Sequence, residues 1–208
     1  VMTCLGLSWI LEARLPLVQL QYRKWHHARA NFVFLGTTLS INAAFSALAL
    51  GVVAWTGTTE FGLLHLFELP NILEMLAAII ILDFTAQYFA HWLMHRVKFL
   101  WRFHVVHHSD TKVDATTGTR LHPGDFFVRE SVALIALTLT GATLAYYVVY
   151  RITTIFFTFV THANISLPGW LDASLSFVFV TPNMHKFHHC LLYTSPSPRD
   201  RTSSRMPA

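Results

Sequence analysis

The stretch "NFVFLGTTLSINAAFSALALGVVAW" (residues 31–55) decides the fold class. No charged residue interrupts the chain between Arg29 and Glu60. Its 25 residues, wound as a helix at ~1.5 Å per residue, reach past the ~30 Å of hydrocarbon in a bilayer. The whole composition agrees. Of 208 residues, 53% are hydrophobic and only 12% charged, where a soluble domain carries about 25%. Too little polar surface is present to cover a water-facing globule, so the chain reads as an integral membrane protein. The net charge of +4 comes without a dense Lys/Arg tract, which argues against a nucleic-acid partner. The two cysteines, Cys4 and Cys190, form no CxxC pair and no disulfide framework.

Working outward, "RLPLVQLQYRKWHHAR" before the first span is basic and carries Trp25, a residue type that favours membrane interfaces. After the span, "TGTTEFG" reads as a short turn. Residues 70–94, "PNILEMLAAIIILDFTAQYFAHWLM", then return across the bilayer, with Pro70 suited to a helix start. This second helix ends at His91 and His95, beside Arg96, Lys98 and Arg102. The positive-inside rule puts that end on the cytoplasmic side, with Arg23, Lys24 and Arg29. The two assignments agree on one hairpin.

A polar segment follows (104–125), then a second apolar region, 126–161. Two crossings need about 40 residues, and this region supplies 36. A hairpin of short or tilted helices turning near Gly141–Thr143 brings every histidine group to one side. A single crossing by 131–150 would put His162 on the opposite face. Arg151 lies within the region, where a charge is costly in lipid and demands a polar partner. The expected fold is therefore all-α: an integral membrane helical bundle of about four transmembrane helices, in two hairpins, with a histidine-rich metal site at the cytosolic end. Residues 1–30 read as an interfacial segment, truncated because the chain opens at Val1. Residues 31–189 read as the membrane domain. Residues 190–208, ending "YTSPSPRDRTSSRMPA", read as a disordered or foreign tail.

Thirteen histidines are present. His91 and His95 are spaced i, i+4 and share a helix face, a stripe that Asp83 and Gln87 extend. His104, His107 and His108 form an H-x-x-H-H triplet, and His185, His188 and His189 repeat it. Imidazole offers a neutral nitrogen lone pair to Fe, Cu, Ni or Zn. An isolated i, i+4 pair is more often structural than ligating. Two triplets and a pair, in a membrane chain, exceed what one ion needs and read as two metal ions. Asp83, Asp110 or Asp114 would orient ring N–H groups and offset charge. His162, closing the second apolar region, reads as a further ligand. His122 in "RLHPGD" and Asn164 just after His162 are candidates for the surrounding shell or the ligand set. His26 and His27 read as interfacial and His65 as structural. A zinc peptidase is disfavoured, since HExxH needs Glu where Trp92 stands.

Five blocks, "DFTAQYFAHWLMH", "LWRFHVVHHSD", "TRLHP", "FVTHANISLPGW" and "TPNMHKFHH", resemble in order the fatty acid hydroxylase / sterol desaturase superfamily of membrane di-iron oxygenases. The resemblance covers about residues 80–189. It implies a helical membrane bundle with a cytosolic histidine-bound metal pair. Its three histidine boxes fall on His91 and His95, on His104, His107 and His108, and on His185, His188 and His189, with His162 as a further family histidine. It implies two Fe ions as cofactor, O2 as co-substrate, and hydroxylation or desaturation of an unactivated C–H bond in a lipid of sterol or fatty-acyl type. Phe89, Trp92, Phe99, Trp101 and Phe103 are candidate lining for the substrate's path, against a role in bundle packing. With no haem, iron–sulfur or dinucleotide motif in the chain, electrons are expected from a separate cytochrome, ferredoxin or reductase. Arg96, Lys98 and Arg102 would dock such an acidic donor, unless they only fix topology. The competing class is a non-catalytic metal-binding or metal-transporting membrane protein, which would need ligands along a path through the bilayer.

Overall fold

The computed structural model describes residues 1–190, Cys190 by its backbone alone. The tail expected over 190–208 lies outside the described residues from 191 onward. Nine α-helices are described: α1 (Met2–Arg14), α2 (Lys24–Thr59), α3 (Asn71–Asp83), α4 (Ala90–Arg96), α5 (Lys98–His108), α6 (Pro123–Thr140), α7 (Leu144–His162), α8 (Gly169–Leu175) and α9 (Pro182–Cys190). A π-helical turn, Phe84–Phe89, joins α3 to α4. Among the described residues no strand forms beyond an isolated bridge between Pro16 and Ile165.

Helix α2 is apolar nearly all round, as a lipid-embedded helix should be. Val33, Leu39, Leu48, Leu50 and Trp55 face outward. The residues it buries, Ala28, Asn31, Thr38, Phe45, Ala49 and Thr56, form one mostly small-residue stripe against α6 and, at Asn31, the turn Ala115–Thr119. Small side chains let helix backbones approach closely where lipid removes the hydrophobic drive for association. The same logic fills the central core, where Ala49, Ala78, Ala86, Ala133, Ala136 and Ala142 pack around Leu82, Leu137 and Tyr150.

The expected turns are present. Pro70 precedes α3, and Gly141, at φ 68°, ends α6 in the left-handed region that glycine adopts most readily. Gly141 meets Gly62 (φ 129°) backbone to backbone, and a side chain on either would collide with the other turn. The two hairpin turns therefore sit together at one end of the bundle, with His65 beside Gly141, and the histidines of the two triplets and the His91–His95 pair gather at the other.

Among the described residues three segments are long and apolar enough to cross a membrane: Lys24–Leu66, Asn71–Arg96 and Leu144–His162. The fourth expected crossing, α6, has 18 residues but carries Asp125, Arg129 and Glu130 in its first half. Those charges are paired. Glu130 accepts two bonds from Arg151 on α7 (2.7 and 2.9 Å), and Arg151 also donates to Asn42 on α2 (2.6 Å). This is the polar partner that an arginine in an apolar helix requires.

Candidate metal centre

Three local devices aim the rings. On α4, His91 and His95 lie one turn apart. At Val97 the backbone is extended (φ −91°, ψ 114°), and the break lets α5 fold back against α4. The last two turns of α5 present His104, His107 and His108, and α9 presents His185, His188 and His189. His162 is the final residue of α7.

Neighbouring histidines separate. Successive residues on a helix point about 100° apart, so each His-His doublet sends its two rings to different places. His91, His95, His108 and His188 form one group, and His107, His162, His185 and His189 the other; within each, the ligating atoms lie within 4.8 Å of one another. The groups adjoin, with the ring centroids of His108 and His189 4.5 Å apart. His104 belongs to neither group but borders the first, its Nε2 lying 3.2 Å from His108 Nε2.

The donor chemistry fits metal ions. His162 Nδ1 donates to the Thr158 carbonyl (2.7 Å), and His107 Nδ1 to that of Arg120 (3.3 Å). Each neutral ring then has a lone pair on Nε2, and these two nitrogens face each other at 3.1 Å. Two lone pairs repel at that distance; a cation between them turns the contact into shared coordination. Neither group contains a carboxylate or thiolate, and an all-imidazole set suits Fe, Zn, Cu or Ni. His91 is an exception in tautomer. The Arg129 guanidinium, which can only donate, reaches its Nδ1 (3.1 Å), so in this arrangement the neutral ring carries its proton on Nε2, and His91 completes the first group as a ligand only when that contact yields and the proton moves to Nδ1.

Burial, reinforced by the neighbouring rings, holds His107, His108, His185 and His189 well below the ordinary histidine range. It takes His188 down to about 4. These rings are neutral at pH 7, as ligation requires. His104 is lowered too, by burial, although Asp125 opposes the shift. Asp125 accepts from His104 Nδ1 (2.6 Å) and from Arg129 Nε (2.8 Å). Burial alone would raise its carboxyl, but Arg129 and His104 hold it far below the usual carboxylate range. The Trp101 ring packs on His95 (5.2 Å) and His108 (5.6 Å) and walls the first group.

Several expected neighbours of the rings go elsewhere. Asp83 is exposed. A π turn takes an extra residue, so the chain beyond it is rotated about 100° relative to an unbroken helix, and Asp83 leaves the stripe of His91. Asp110 bonds His27 Nε2 (2.8 Å), Thr117 and the Lys112 amide rather than a ring of either group. His27 is therefore no mere interface residue: it ties the start of α2 to the loop after α5, with Asp114 3.4 Å from its other nitrogen. Asp114 also bonds Tyr22 and Thr116. His122 caps α6, accepting from Gly124 N (3.0 Å), and stacks on Phe103 (5.0 Å). Asn164 binds Lys186 Nζ (2.6 Å) and the Val18 backbone. The buried carboxylate of Glu12 accepts from Ala115 N, Asn164 N and Lys24 Nζ, so α1 is pinned to the loops around the rings. Phe89, Trp92 and Phe99 are not among the ring contacts of either group, and Phe89 stacks on Trp92 (5.9 Å). Arg96, Lys98 and Arg102 are exposed.

The reading of sequence missed Asp125, Arg129, Glu12 and Lys186. Only the first pair left a sign, an Asp and Arg spaced i, i+4 at a helix start.

The family model for fatty acid hydroxylase matches residues 75–194, which include all nine histidines of the cluster. Ornithine lipid hydroxylase OlsE of Rhizobium tropici is 31% identical over 120 residues, 58% of this chain and 35% of that protein. A cholesterol 25-hydroxylase-like protein of Caenorhabditis elegans is 31% identical over 147 residues, 68% of this chain and 47% of that protein. The chain thus spans less than half the length of either relative. No solved structure matches the chain.

Proposed function

The chain belongs to the fatty acid hydroxylase family, and from that membership we propose that it is a membrane-bound lipid hydroxylase with two iron ions as cofactor. O2 is the co-substrate: one oxygen atom enters a C–H bond and the other leaves as water, at a cost of two electrons and two protons. The electrons come from a separate donor protein, for which the exposed Arg96, Lys98 and Arg102 offer an acidic partner a docking face. When bound, iron supplies the reduction of O2 and the oxidising power that an unactivated C–H bond demands.

The chain's own residues prepare that site. The carbonyls of Thr158 and Arg120 fix which nitrogen of His162 and His107 carries the proton and aim the free lone pairs inward. Asp125 does the same for His104. Trp101 covers the first group and excludes water. The basic residues at this end of the bundle favour the cytoplasmic face for the site.

The observation that carries this reading is the pair of adjacent, buried, all-histidine groups of four. Their position at one end of the bundle disfavours a transporter, whose ligands would be spread along a path. One named relative is an ornithine lipid hydroxylase and the other is named for its likeness to a cholesterol 25-hydroxylase, which favours hydroxylation over desaturation. The test is metal analysis of the purified protein together with lipid mass spectrometry of cells expressing it. About two irons per chain and a lipid gaining one oxygen are expected. Iron-loaded, reduced protein that consumes O2 with no lipid product would overturn the proposal.

A further inference from the structure

The turn Ala115–Thr119 is buried along its whole length, and it backs the second histidine group. Its Gly118 lies flat on the hydrogen bond between His162 and the Thr158 carbonyl. A Cβ there would meet His162 Nδ1 at 3.3 Å, the Thr158 carbonyl oxygen at 3.2 Å and Thr158 Cγ2 at 3.0 Å. Two residues on, the Arg120 carbonyl accepts from His107 Nδ1 (3.3 Å). A short run of chain thus backs the outer nitrogens of two rings of this group, His162 and His107.

Glu12 and Asp114 anchor the entry of the turn, at Ala115 N (2.7 Å) and Thr116 N (2.8 Å). The stretch around Gly118 is gripped from the membrane helix α2. Asn31, about two helical turns from the start of α2, is fully buried. Its Nδ2 donates to Thr116 Oγ1 (2.8 Å), and its Oδ1 accepts from Arg120 Nη1 (3.2 Å). Its backbone carbonyl accepts from Thr119 Oγ1 (3.2 Å). Thr116 stands two residues before Gly118 and Arg120 two after, so one side chain holds the turn on both sides of the glycine. The two demands differ. Arg120 needs an acceptor, and Thr116, whose own hydroxyl proton goes to Asp114 Oδ1 (2.6 Å), needs a donor. An amide meets both, whereas a carboxylate cannot donate and an aliphatic side chain does neither. In a segment apolar enough to cross a membrane, an amide is costly unless bonded in this way.

We propose that Asn31 is a positioning residue for the second histidine group: through the turn it pins, it keeps Gly118 against His162 and the Arg120 carbonyl against His107. The first group has supports of its own, Arg129 at His91 and Trp101 at His95 and His108, so the loss of Asn31 should be felt by one ion and not the other. The proposal rests on the metal-pair reading of the site, but it is measurable without turnover.

The probe is Co(II), whose visible absorption follows its ligand geometry, dialysed against graded chelator with the full chain in lipid nanodiscs. Asn31→Leu keeps the approximate volume and removes both side-chain bonds. It should weaken one ion roughly 10-fold, the lower end for partners that bond a ligand directly, since Asn31 acts one contact further out. The ion is identified by repeating the change in two backgrounds. With His108→Ala, which disables the first group, the remaining ion should loosen and its absorption shift. With His107→Ala, which disables the second, the remaining ion should keep its midpoint and spectrum. Thr38→Val, at another buried polar position of α2 whose hydroxyl bonds only its own helix at Leu35 (3.0 Å), controls for helix packing and should alter neither ion. Should Asn31→Leu fail to fold, Gly118→Ala serves instead: its methyl presses on the same hydrogen bond and should loosen the same ion. Equal weakening of the remaining ion in both backgrounds overturns the proposal, as does an unchanged midpoint in both. Selective loosening in a protein that oxidises no lipid would leave the role of Asn31 standing and sink the hydroxylase reading alone.

Discussion

The separation of the His-His doublets makes a prediction that the sequence blocks alone would not. His107 and His108 are adjacent in the chain but belong to different groups, whereas His107 and His189 lie 82 positions apart and share one. A four-ligand site with an apparent binding free energy of ~10–16 kcal/mol loses about a quarter of it per ligand, ~2.5–4 kcal/mol, or roughly 60- to 700-fold in affinity. At a chelator concentration that wild type withstands, His107→Ala should empty the second group and retain one ion, and His108→Ala should empty the first and retain the other. The double variants carry the test. His107→Ala with His189→Ala damages one group twice and should still hold about one ion per chain. His107→Ala with His108→Ala damages both and should hold none. The assay is metal per chain after equilibrium dialysis against graded chelator, with circular dichroism to show that each variant is folded and the exposed His26→Ala as an unaffected control. Loss of both ions in the first double variant, or retention of one in the second, would refute the assignment of rings to groups.

Asp125→Asn keeps the shape of the side chain but removes the charge that His104 and Arg129 share; metal affinity should fall ~10- to 100-fold with helix content unchanged, and an unaltered chelator midpoint would count against it. Arg151→Met leaves Glu130 buried with no cation, a loss of ~3–5 kcal/mol, visible as a lower unfolding temperature in detergent; adding Glu130→Gln should restore part of it. Metal-free protein should be acid-sensitive. The unfolded chain protonates its histidines at about 6.5, while burial keeps the folded rings neutral down to about 4 at His188. Stability is thus full above 6.5, falls as pH drops through this window, and is at its lowest below 4. The carboxylates Asp110 and Asp125, held low, protonate only below that range. A flat unfolding temperature between pH 7 and 4.5 would contradict this.

The sequence by itself determined the frame. A charge-free run from Arg29 to Glu60 has one physical solution in lipid, a helix that satisfies its own backbone, and Pro70 and Gly141 punctuate the chain where the turns fall. The i, i+3 and i, i+4 spacings determined which rings share a face of their own helix. The expected fourth crossing was less legible: α6 carries Asp125 and Glu130, which serve His104 and Arg151, and it is not among the three described segments apolar enough to span a membrane. Only the tertiary structure decided which rings meet across helices. Periodicity is a property of one helix, while a group of four is assembled from three. A single π turn rotated Asp83 away from the rings, and the carboxylate that does reach one, Asp125, arrives from a helix whose sequence distance from His104 gave no hint of contact. Spacing along a chain fixes angles about one axis; how separate axes are set against one another depends on packing among all of them.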